Sequence, residues 1–281
     1  MKVKVITLFS GESEYQECKI SVKRQTVSFQ VDHFFIEGKS KPEAHNILYS
    51  TIMSESSEYD YFVKLDADMI FTSDNALEKI INYAIASNSG IFSIPVHDYM
   101  TDSMIWGLNV YKSGVKWFVE TDNLFTDQQR IDGCYKKEKK KLDKCESLVS
   151  HASMATDFQG YIFGVHRAAK IIQYESVDFR FGHSFGQLQT LKLVLERYKK
   201  NNSKVAASAL VGAYQLIVGE LGRYDMIKRE DYRACFENVK VDEKLKDALF
   251  FFSPNSWVIL IRIFGFYGIS CKILKHLIRK L

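Results

Sequence analysis

Short apolar runs alternate with amphipathic segments over the first third of the chain. The apolar runs have the length and composition of buried strands and occupy residues 3–9, 29–38, 59–71 and 90–96. Between them, apolar residues recur at helical spacing in the segments 10–26, 41–56 and 73–87. Repeats of strand and helix of roughly 30 residues predict parallel strands joined by right-handed crossovers. We therefore expect an α/β fold with a mixed, mostly parallel sheet flanked by helices.

Individual residues support the predicted helices. Tyr15, Cys18 and Val22 share one face of the first helix, and Pro42 suits the start of the second. The third helix has Ser73 or Asp74 as its expected N-cap. Its predicted inner face consists of Leu77, Ile80, Ile81 and Ala84.

Beyond residue 100 the pattern is less regular. It predicts a hairpin over 105–120, a strand entering a helix over 158–170, and helices at 186–201, 205–221 and 229–250. The lysine-rich segment 136–144 is expected to be a solvated loop, or a contact for a phosphorylated or membrane-bound partner. We expect two domains, a body over 1–222 and a C-terminal helical extension over 223–281.

Basic charge is concentrated at the end of the chain. No acid follows Asp247, and the basic residues beyond it are Arg262, Lys272, Lys275, Arg279 and Lys280. These five residues together carry a charge of +5, whereas the whole chain carries +4, so the rest of the chain carries 4 − 5 = −1. We therefore do not expect the body of the protein to bind nucleic acid. Residues 255–281 have the composition of a basic amphipathic helix on an anionic membrane surface. The alternative is a last helix packed on the body.

The cysteines and the N-terminus bear on the expected compartment. Five scattered cysteines lack metal-site spacing and suggest reduced thiols. The first residues, "MKVKVITLF", lack a secretory cleavage pattern. We therefore expect a cytoplasmic protein, peripheral on the inner face of the cytoplasmic membrane.

Two acids interrupt the apolar run "YFVKLDADMIF". Asp66 and Asp68 are two residues apart, so in a strand both carboxylates leave on the same side. At a strand end they can converge on one cation, and their hard oxygen ligands suit Mg²⁺ or Mn²⁺ bridging to a diphosphate. The alternative is an ordinary polar turn after the strand, in which the side chain of Asp68 has a capping role.

These residues also carry a family resemblance. "YFVKLDADMIF" resembles the Asp-x-Asp element of GT-A-fold, nucleotide-sugar-dependent glycosyltransferases. "YQECKISVKRQT" and "EAHNILYSTIMSESSEYDYFVKLDAD" resemble the first helix and the following element of the family-two group. "QGYIFGVHRAA" is similar to a later element of that group. The resemblance covers about residues 3–75 and, more weakly, 157–170.

The resemblance implies a GT-A-like, Rossmann-like fold and a donor site. Asp66 and Asp68 would bind Mn²⁺ or Mg²⁺ together with a nucleotide-sugar donor, with UDP-sugars favoured. The donor-site residues it implies are Thr7, Phe9, Glu37, Lys64 and Asp66. Glu37 replaces the aspartate that is common at this place, and Lys64 has the alternative of a strand-face salt bridge.

The chain also departs from the family. The usual Glu-Asp pair that supplies a catalytic base is absent, and "VDFRFGHSFGQLQ" stands in its place. His183, in this glycine-flanked segment, is a candidate third metal ligand or a structural histidine. Asp157 and Asp178 are candidate bases, and Asp157 has the alternative of an ordinary cap or turn acid. His97 and Asp98 end the fourth strand, where an acceptor would approach, and a purely structural role is their alternative.

The expected activity is transfer of a hexosyl-type sugar to a hydroxyl of a glycan or lipid-linked acceptor, in bacterial surface polysaccharide or lipopolysaccharide synthesis. Inverting and retaining reactions both fit the sequence. One alternative is a nucleotidyltransferase, although "FSGESEYQE" is acidic where such enzymes have a basic, glycine-rich loop. The other is a non-catalytic sugar- or membrane-binding module.

Overall fold

The computed structural model describes residues 1–118, 124–126, 131–133, 135–173, 179–221 and 232–278. It is an α/β structure whose curled, mixed sheet is mostly parallel near the core and is flanked by helices, which is compatible with a Rossmann-like fold. The chain forms two compact units, Met1–Thr121 with Phe125–Ala155, and Asp122–Leu124 with Thr156–Leu281. The predicted domain boundary at residue 222 lies outside the described residues.

The first unit contains the sheet and three helices that flank it. Its strands are β1 (Lys2–Phe9), β2 (Gln30–Glu37), β3 (Tyr61–Asp66), β4 (Met69–Phe71), β5 (Ile91–Asp98), β6 (Ser103–Lys112), β7 (Lys116–Trp117), β8 (Ile131–Asp132), β9 (Lys137–Lys139) and β10 (Val149–His151). Its helices are α1 (Tyr15–Lys23), α2 (Lys41–Ser54) and α3 (Ala76–Ser87). The predicted alternation of strand and helix over this region is confirmed.

The strands of the main sheet lie in the order β2–β1–β3–β6–β5–β10–β4, and β9 adds to β5. β1 pairs in parallel with β2 and β3, and β5 pairs in parallel with β9 and β10. β6 is antiparallel to both β3 and β5, and β4 is antiparallel to β10. β7 and β8 form a separate antiparallel pair.

Helices cover both faces of the sheet because successive strand residues point to opposite sides. Val5 and Val63 belong to one buried cluster, which α1 and α3 complete. Ile6 and Phe62 belong to a second cluster, which α2 completes through Leu48 and other buried residues. The predicted inner face of α3 is confirmed, although its N-cap is Asn75 rather than Ser73 or Asp74.

The apolar run 59–71 is two strands and not one. β3 ends at Asp66, residues 67 and 68 form a turn, and β4 pairs with β10 at the far end of the strand order. The run looks continuous in the sequence because Met69 and Phe71 are as buried in β4 as Leu65 is in β3. Hydrophobicity alone therefore does not mark the turn.

The region after residue 100 differs from its predicted pairing. The predicted hairpin over 105–120 is wrong, because β6 pairs with β3 and β5 while β7 pairs with β8. The turn at Gly114 is present, with a φ of 85° that favours glycine. Within the lysine-rich segment 136–144, Lys137–Lys139 forms β9, so this segment is not entirely a loop.

The described part of the second unit is helical. Its helices are α4 (Asp157–Ile172), α5 (Phe181–Asn201), α6 (Lys204–Ile217), α7 (Arg233–Asn238), α8 (Val241–Phe252) and α9 (Ser256–Ile278). The predicted strand at the start of 158–170 is wrong, since Thr156 and Gln159 form a capping box that begins α4. Gly160 and Gly164 instead allow close packing, because a Cβ at Gly164 would lie 1.8 Å from the carbonyl oxygen of Ala209 in α6.

The C-terminal helices have a long apolar stretch interrupted by bends. Among the described residues, no single helix is long and apolar enough to cross a membrane. Val241–Phe252 and Ser256–Cys271 meet those criteria by length and composition only as a pair, bent by 91°. A second break lies inside α9, at Gly265.

Candidate active site

The carboxyl ends of three neighbouring strands meet at one edge of the sheet. In the strand register, Asp66 of β3 lies opposite Leu8 of β1, and Phe9 of β1 lies opposite Glu37 of β2. This edge is where ligands bind in open α/β sheets. The structure thus brings Phe9, Glu37 and Asp66 to the same edge, as the sequence led us to expect.

Asp66 is held by a lysine of its own strand. Lys64 Nζ lies 2.7 Å from Asp66 Oδ2, and the lysine side chain is only 7% exposed whereas that of the aspartate is 34% exposed. The two residues lie on the same face of β3 because they are two positions apart. The buried ammonium group is compensated by the carboxylate, and the carboxylate is oriented by the ammonium group. This ion pair is the salt bridge that the sequence offered as the alternative role for Lys64.

Asp68 is held by a histidine from a distant part of the chain. His151 Nε2 lies 3.2 Å from Asp68 Oδ2, and His151 Nδ1 lies 2.7 Å from Asp98 Oδ1. Burial disfavours a charged ring, yet the carboxylates of Asp68 and Asp98 hold the pKa of His151 well above its ordinary value. Each ring nitrogen of His151 thus faces a carboxylate, and the two carboxylates favour the charged form of the ring.

The strand pairing of β10 positions this histidine. His151 lies opposite Asp98 of β5 and Met69 of β4 in the strand register. The next residue, Ala152, donates its backbone N–H to the carbonyl oxygen of Asp68 at 2.8 Å. The turn after β3 is thus held by both the backbone and the side chain of the segment that follows β10.

Asp98 supports the histidine from inside the protein. Its side chain is fully buried, and Oδ2 accepts hydrogen bonds from Thr101 N at 2.9 Å and Thr101 Oγ1 at 2.6 Å. An enclosed carboxylate of this kind does not meet an incoming acceptor, so the expectation for Asp98 is corrected to a supporting role. His97 pairs instead with the half-exposed Asp102, at 3.1 Å.

Aromatic side chains line the neighbouring end of β1 and β2. The rings of Phe9 and Tyr15 are stacked with their centroids 4.0 Å apart, and the Tyr15 ring meets Phe35 edge-on at 5.9 Å. Tyr15 also donates a short hydrogen bond from its hydroxyl to Glu37. A flat ring and a carboxylate are thus placed side by side, an arrangement suited to a planar base and a hydroxyl.

Thr7, another predicted donor-site residue, is not at this surface. Its side chain is fully buried, and its Oγ1 lies 2.8 Å from His33 Nε2. His33 in turn packs against Phe35, with ring centroids 4.1 Å apart.

The donor atoms at this edge fit a hard cation in their chemistry. Asp66 and Asp68 present carboxylate oxygens, and Mg²⁺ or Mn²⁺ commonly takes one or two carboxylates and fills its other positions with water and phosphate oxygens. Among the residues that the structure describes, no group of three or more His, Cys, Asp or Glu side chains is arranged to hold a metal ion.

The remaining predicted residues belong to the second unit or lie outside the described residues. Asp157 is the first residue of α4, and His183 lies in the first turn of α5, so His183 belongs to a helix and not to a glycine-flanked loop. Both residues are in the second unit. Asp178 lies outside the described residues.

His151 is the residue that the sequence did not single out. It ends a three-residue strand, "VSH", which has no recognisable motif around it. The only local signal is a histidine at the end of a short apolar strand, and such a histidine is usually structural. Its partners become visible only when β10 is placed between β4 and β5.

No protein-family model matches the sequence, and no curated protein matches it significantly. The residues and their geometry are therefore the basis on which a function is inferred.

Proposed function

We propose that this chain is a metal-dependent glycosyltransferase of the GT-A type. It moves a sugar from a nucleoside-diphosphate donor to a hydroxyl of a glycan or lipid-linked acceptor. The observation that carries the proposal is the position of Asp66 and Asp68 at the carboxyl end of β3, beside the ends of β1 and β2. Ligands bind at this edge in open α/β sheets.

The two acids are prepared for a charged ligand in different ways. Lys64 orients Asp66, and His151 orients Asp68. Mg²⁺ or Mn²⁺ held by these carboxylates would act as a Lewis acid that stabilises the charge on the leaving diphosphate. The stacked rings of Phe9 and Tyr15, with Glu37 beside them, are the proposed contacts for the nucleoside.

The acceptor half of the reaction stays a prediction from the sequence. An inverting reaction needs a base within about 2.6–3.2 Å of the acceptor hydroxyl, and Asp157 and Asp178 are the candidates. A retaining reaction needs no such base. The third-ligand role of His183 is likewise a prediction. An acceptor at the cytoplasmic face of a membrane agrees with the basic end of the chain.

Calorimetric titration of the full chain with UDP-sugars, with and without Mn²⁺, tests the donor site. Asp66→Asn and Asp68→Asn remove one negative charge each while keeping the side-chain shape. We expect each to weaken Mn²⁺-dependent binding by more than about tenfold, because a carboxylate is a far better ligand for a hard cation than an amide. Asp74→Asn is the matched control, since Asp74 pairs with Arg24 at 3.1 Å on the exposed surface.

Donor binding that is independent of Mn²⁺ and unchanged in both variants would contradict the proposal. A screen of nucleotide-sugar hydrolysis then identifies the donor and the reaction class. Release of a nucleoside diphosphate supports sugar transfer, whereas consumption of a nucleoside triphosphate with release of pyrophosphate would indicate a nucleotidyltransferase instead.

A further inference from the structure

Exposed aromatic side chains are concentrated near the end of the chain. Among the large apolar residues that the structure describes, the three most exposed are Phe250, Phe266 and Tyr267, at 74%, 76% and 82%. Trp257 and Ile261 are also exposed, at 49% and 41%. Single exposed apolar residues are common on proteins, but a group of aromatic residues within one short segment indicates an interaction site. We call these four aromatic residues, together with Ile261, the aromatic face.

The side of α9 opposite the aromatic face is buried, so the aromatic face points to the surface. Ile259 and Leu260 are fully buried, and Ile269 is 6% exposed. Trp257 also packs on α5, where its ring centroid lies 6.0 Å from that of Phe181. A surface helix of a globular protein normally carries polar residues on its outer side. α9 is apolar on both sides, so its outer side requires a second apolar partner.

The two most exposed rings, those of Phe266 and Tyr267, follow directly after the break at Gly265. Gly265 has a φ of 71° and a ψ of 161°, outside the helical region, and the helix resumes with Phe266 and Tyr267. A positive φ is readily adopted by glycine and strained for other residues. Phe266 and Tyr267 therefore stand at the break between two helical segments and not along a continuous helix.

α8 is attached to the helical bundle. Its Leu245, Ala248 and Phe252 are buried, and α8 packs against α6. Its first two turns also carry several charged residues, Asp242, Glu243, Lys244, Lys246 and Asp247. α9 is thus anchored through its buried residues and largely apolar on its outer side, as expected for a helix that lies in an interface.

The sequence that follows α8 carries charge of one sign. No acid follows Asp247 in the sequence, while Arg262, Lys272, Lys275, Arg279 and Lys280 are basic. Arg262 lies within this face, since its guanidinium group is 5.4 Å from the centroid of the Phe250 ring. Basic residues beside exposed aromatic rings are complementary to a surface that has phosphate groups above hydrocarbon, and phospholipid membranes have this composition.

We propose that the aromatic face inserts into the boundary between headgroups and acyl chains of an anionic phospholipid bilayer, with Phe266 and Tyr267 entering deepest. Arg262 and the basic residues after it bind lipid phosphates. This surface belongs to the second unit, whereas Asp66 and Asp68 belong to the first. The inference rests on the proposed function only in the expectation that the acceptor is membrane-bound.

Sedimentation of the full chain with vesicles tests the surface directly. Phosphatidylcholine vesicles are compared with vesicles that also contain phosphatidylglycerol, so that the apolar and the anionic contributions are separated. We expect binding to require phosphatidylglycerol and to weaken by at least about tenfold in the double variant Phe266→Ser/Tyr267→Ser. The matched control is Ile20→Ser, because Ile20 of α1 is 58% exposed but belongs to the first unit.

The remaining outcomes distinguish this inference from the proposed function. Equal vesicle binding by the double variant and the unchanged protein would overturn it. A dimer in light scattering that dissociates in the double variant would also overturn it, because a second copy would then cover the face. Mn²⁺-dependent UDP-sugar binding should be unchanged in the double variant, whereas Asp68→Asn should lose donor binding and keep vesicle binding.

Discussion

His151 Nε2 lies 3.2 Å from Asp68 Oδ2, which joins the end of β10 to the turn that follows β3. The same ring contacts Asp98 at 2.7 Å on its other side. Asp68 is partly exposed, whereas the side chain of Asp98 is fully buried. One histidine thus connects an acid of the candidate site to a carboxylate that solvent does not reach.

Replacement of this histidine should destabilise the protein strongly. His151→Ala leaves Asp98 fully buried without its imidazolium, and removal of one partner from a buried ion pair typically costs about 3–5 kcal/mol. Urea unfolding followed by circular dichroism measures the loss. His97→Ala is the control, since His97 pairs with a half-exposed aspartate and should cost no more than about 1 kcal/mol.

A second substitution separates the charge effect from lost packing. Asp98→Asn in the His151→Ala background removes the buried charge, so the double variant should be more stable than His151→Ala alone. A loss below about 1 kcal/mol in His151→Ala would show that the pair is not a buried ion pair in solution.

Gly164 should be intolerant of any side chain. A Cβ at this position would lie 1.8 Å from the carbonyl oxygen of Ala209 and 2.6 Å from its carbonyl carbon, both backbone atoms of α6. Gly164→Ala therefore forces α4 and α6 apart, and overpacking of this kind costs about 1–3 kcal/mol or more. The thermal unfolding midpoint of the second unit's helices, followed at 222 nm in the full chain, measures it.

Gly186 in α5 is the matched control for this effect. It also lies inside a helix, but nothing lies within 4 Å of a Cβ built there. Gly186→Ala should raise stability by about 0.5–1 kcal/mol, because alanine has the higher helix propensity. Equal effects of the two substitutions would contradict the close packing of α4 on α6.

His33 should make stability depend on pH in the acidic range. Burial, and to a lesser degree the charge of Lys19, lowers the pKa of His33 to about 4, whereas an unfolded histidine titrates near 6.5. Between these values the unfolded chain binds the extra proton, so the stabilising contribution is complete above about pH 6.5 and lost as the pH falls to about 4. Partial solvent screening limits this contribution to about 1–2 kcal/mol.

His33→Gln tests this pH dependence, since the amide oxygen of glutamine can accept the hydrogen bond of Thr7 without titrating. The free energy of unfolding, measured between pH 4 and pH 7, should fall less steeply with decreasing pH in the variant than in the unchanged protein. Identical slopes would show that the His33 ring has the same pKa in the folded and the unfolded state.

The sequence by itself determined the elements whose signals are local. The strand–helix alternation through β1, α1, β2, α2 and β3 follows from apolar periodicity, which a chain must have to cover both faces of a sheet. The placement of Asp66 at a strand end follows in the same way, because parallel strands joined by crossovers present their carboxyl ends together. The inner face of α3 was predicted from the helical spacing of its apolar residues.

Only the tertiary structure decided what depends on distant partners. A turn at Ala67–Asp68 divides an apolar run because β4 pairs with β10 and not with β1. The sequence predicted a strand entering a helix over 158–170, but Gly160 and Gly164 lie inside α4, where they allow the close approach of α6. His151 reaches Asp68 only because β10 pairs with β4 and β5. The local sequence pattern does not show which strands become neighbours.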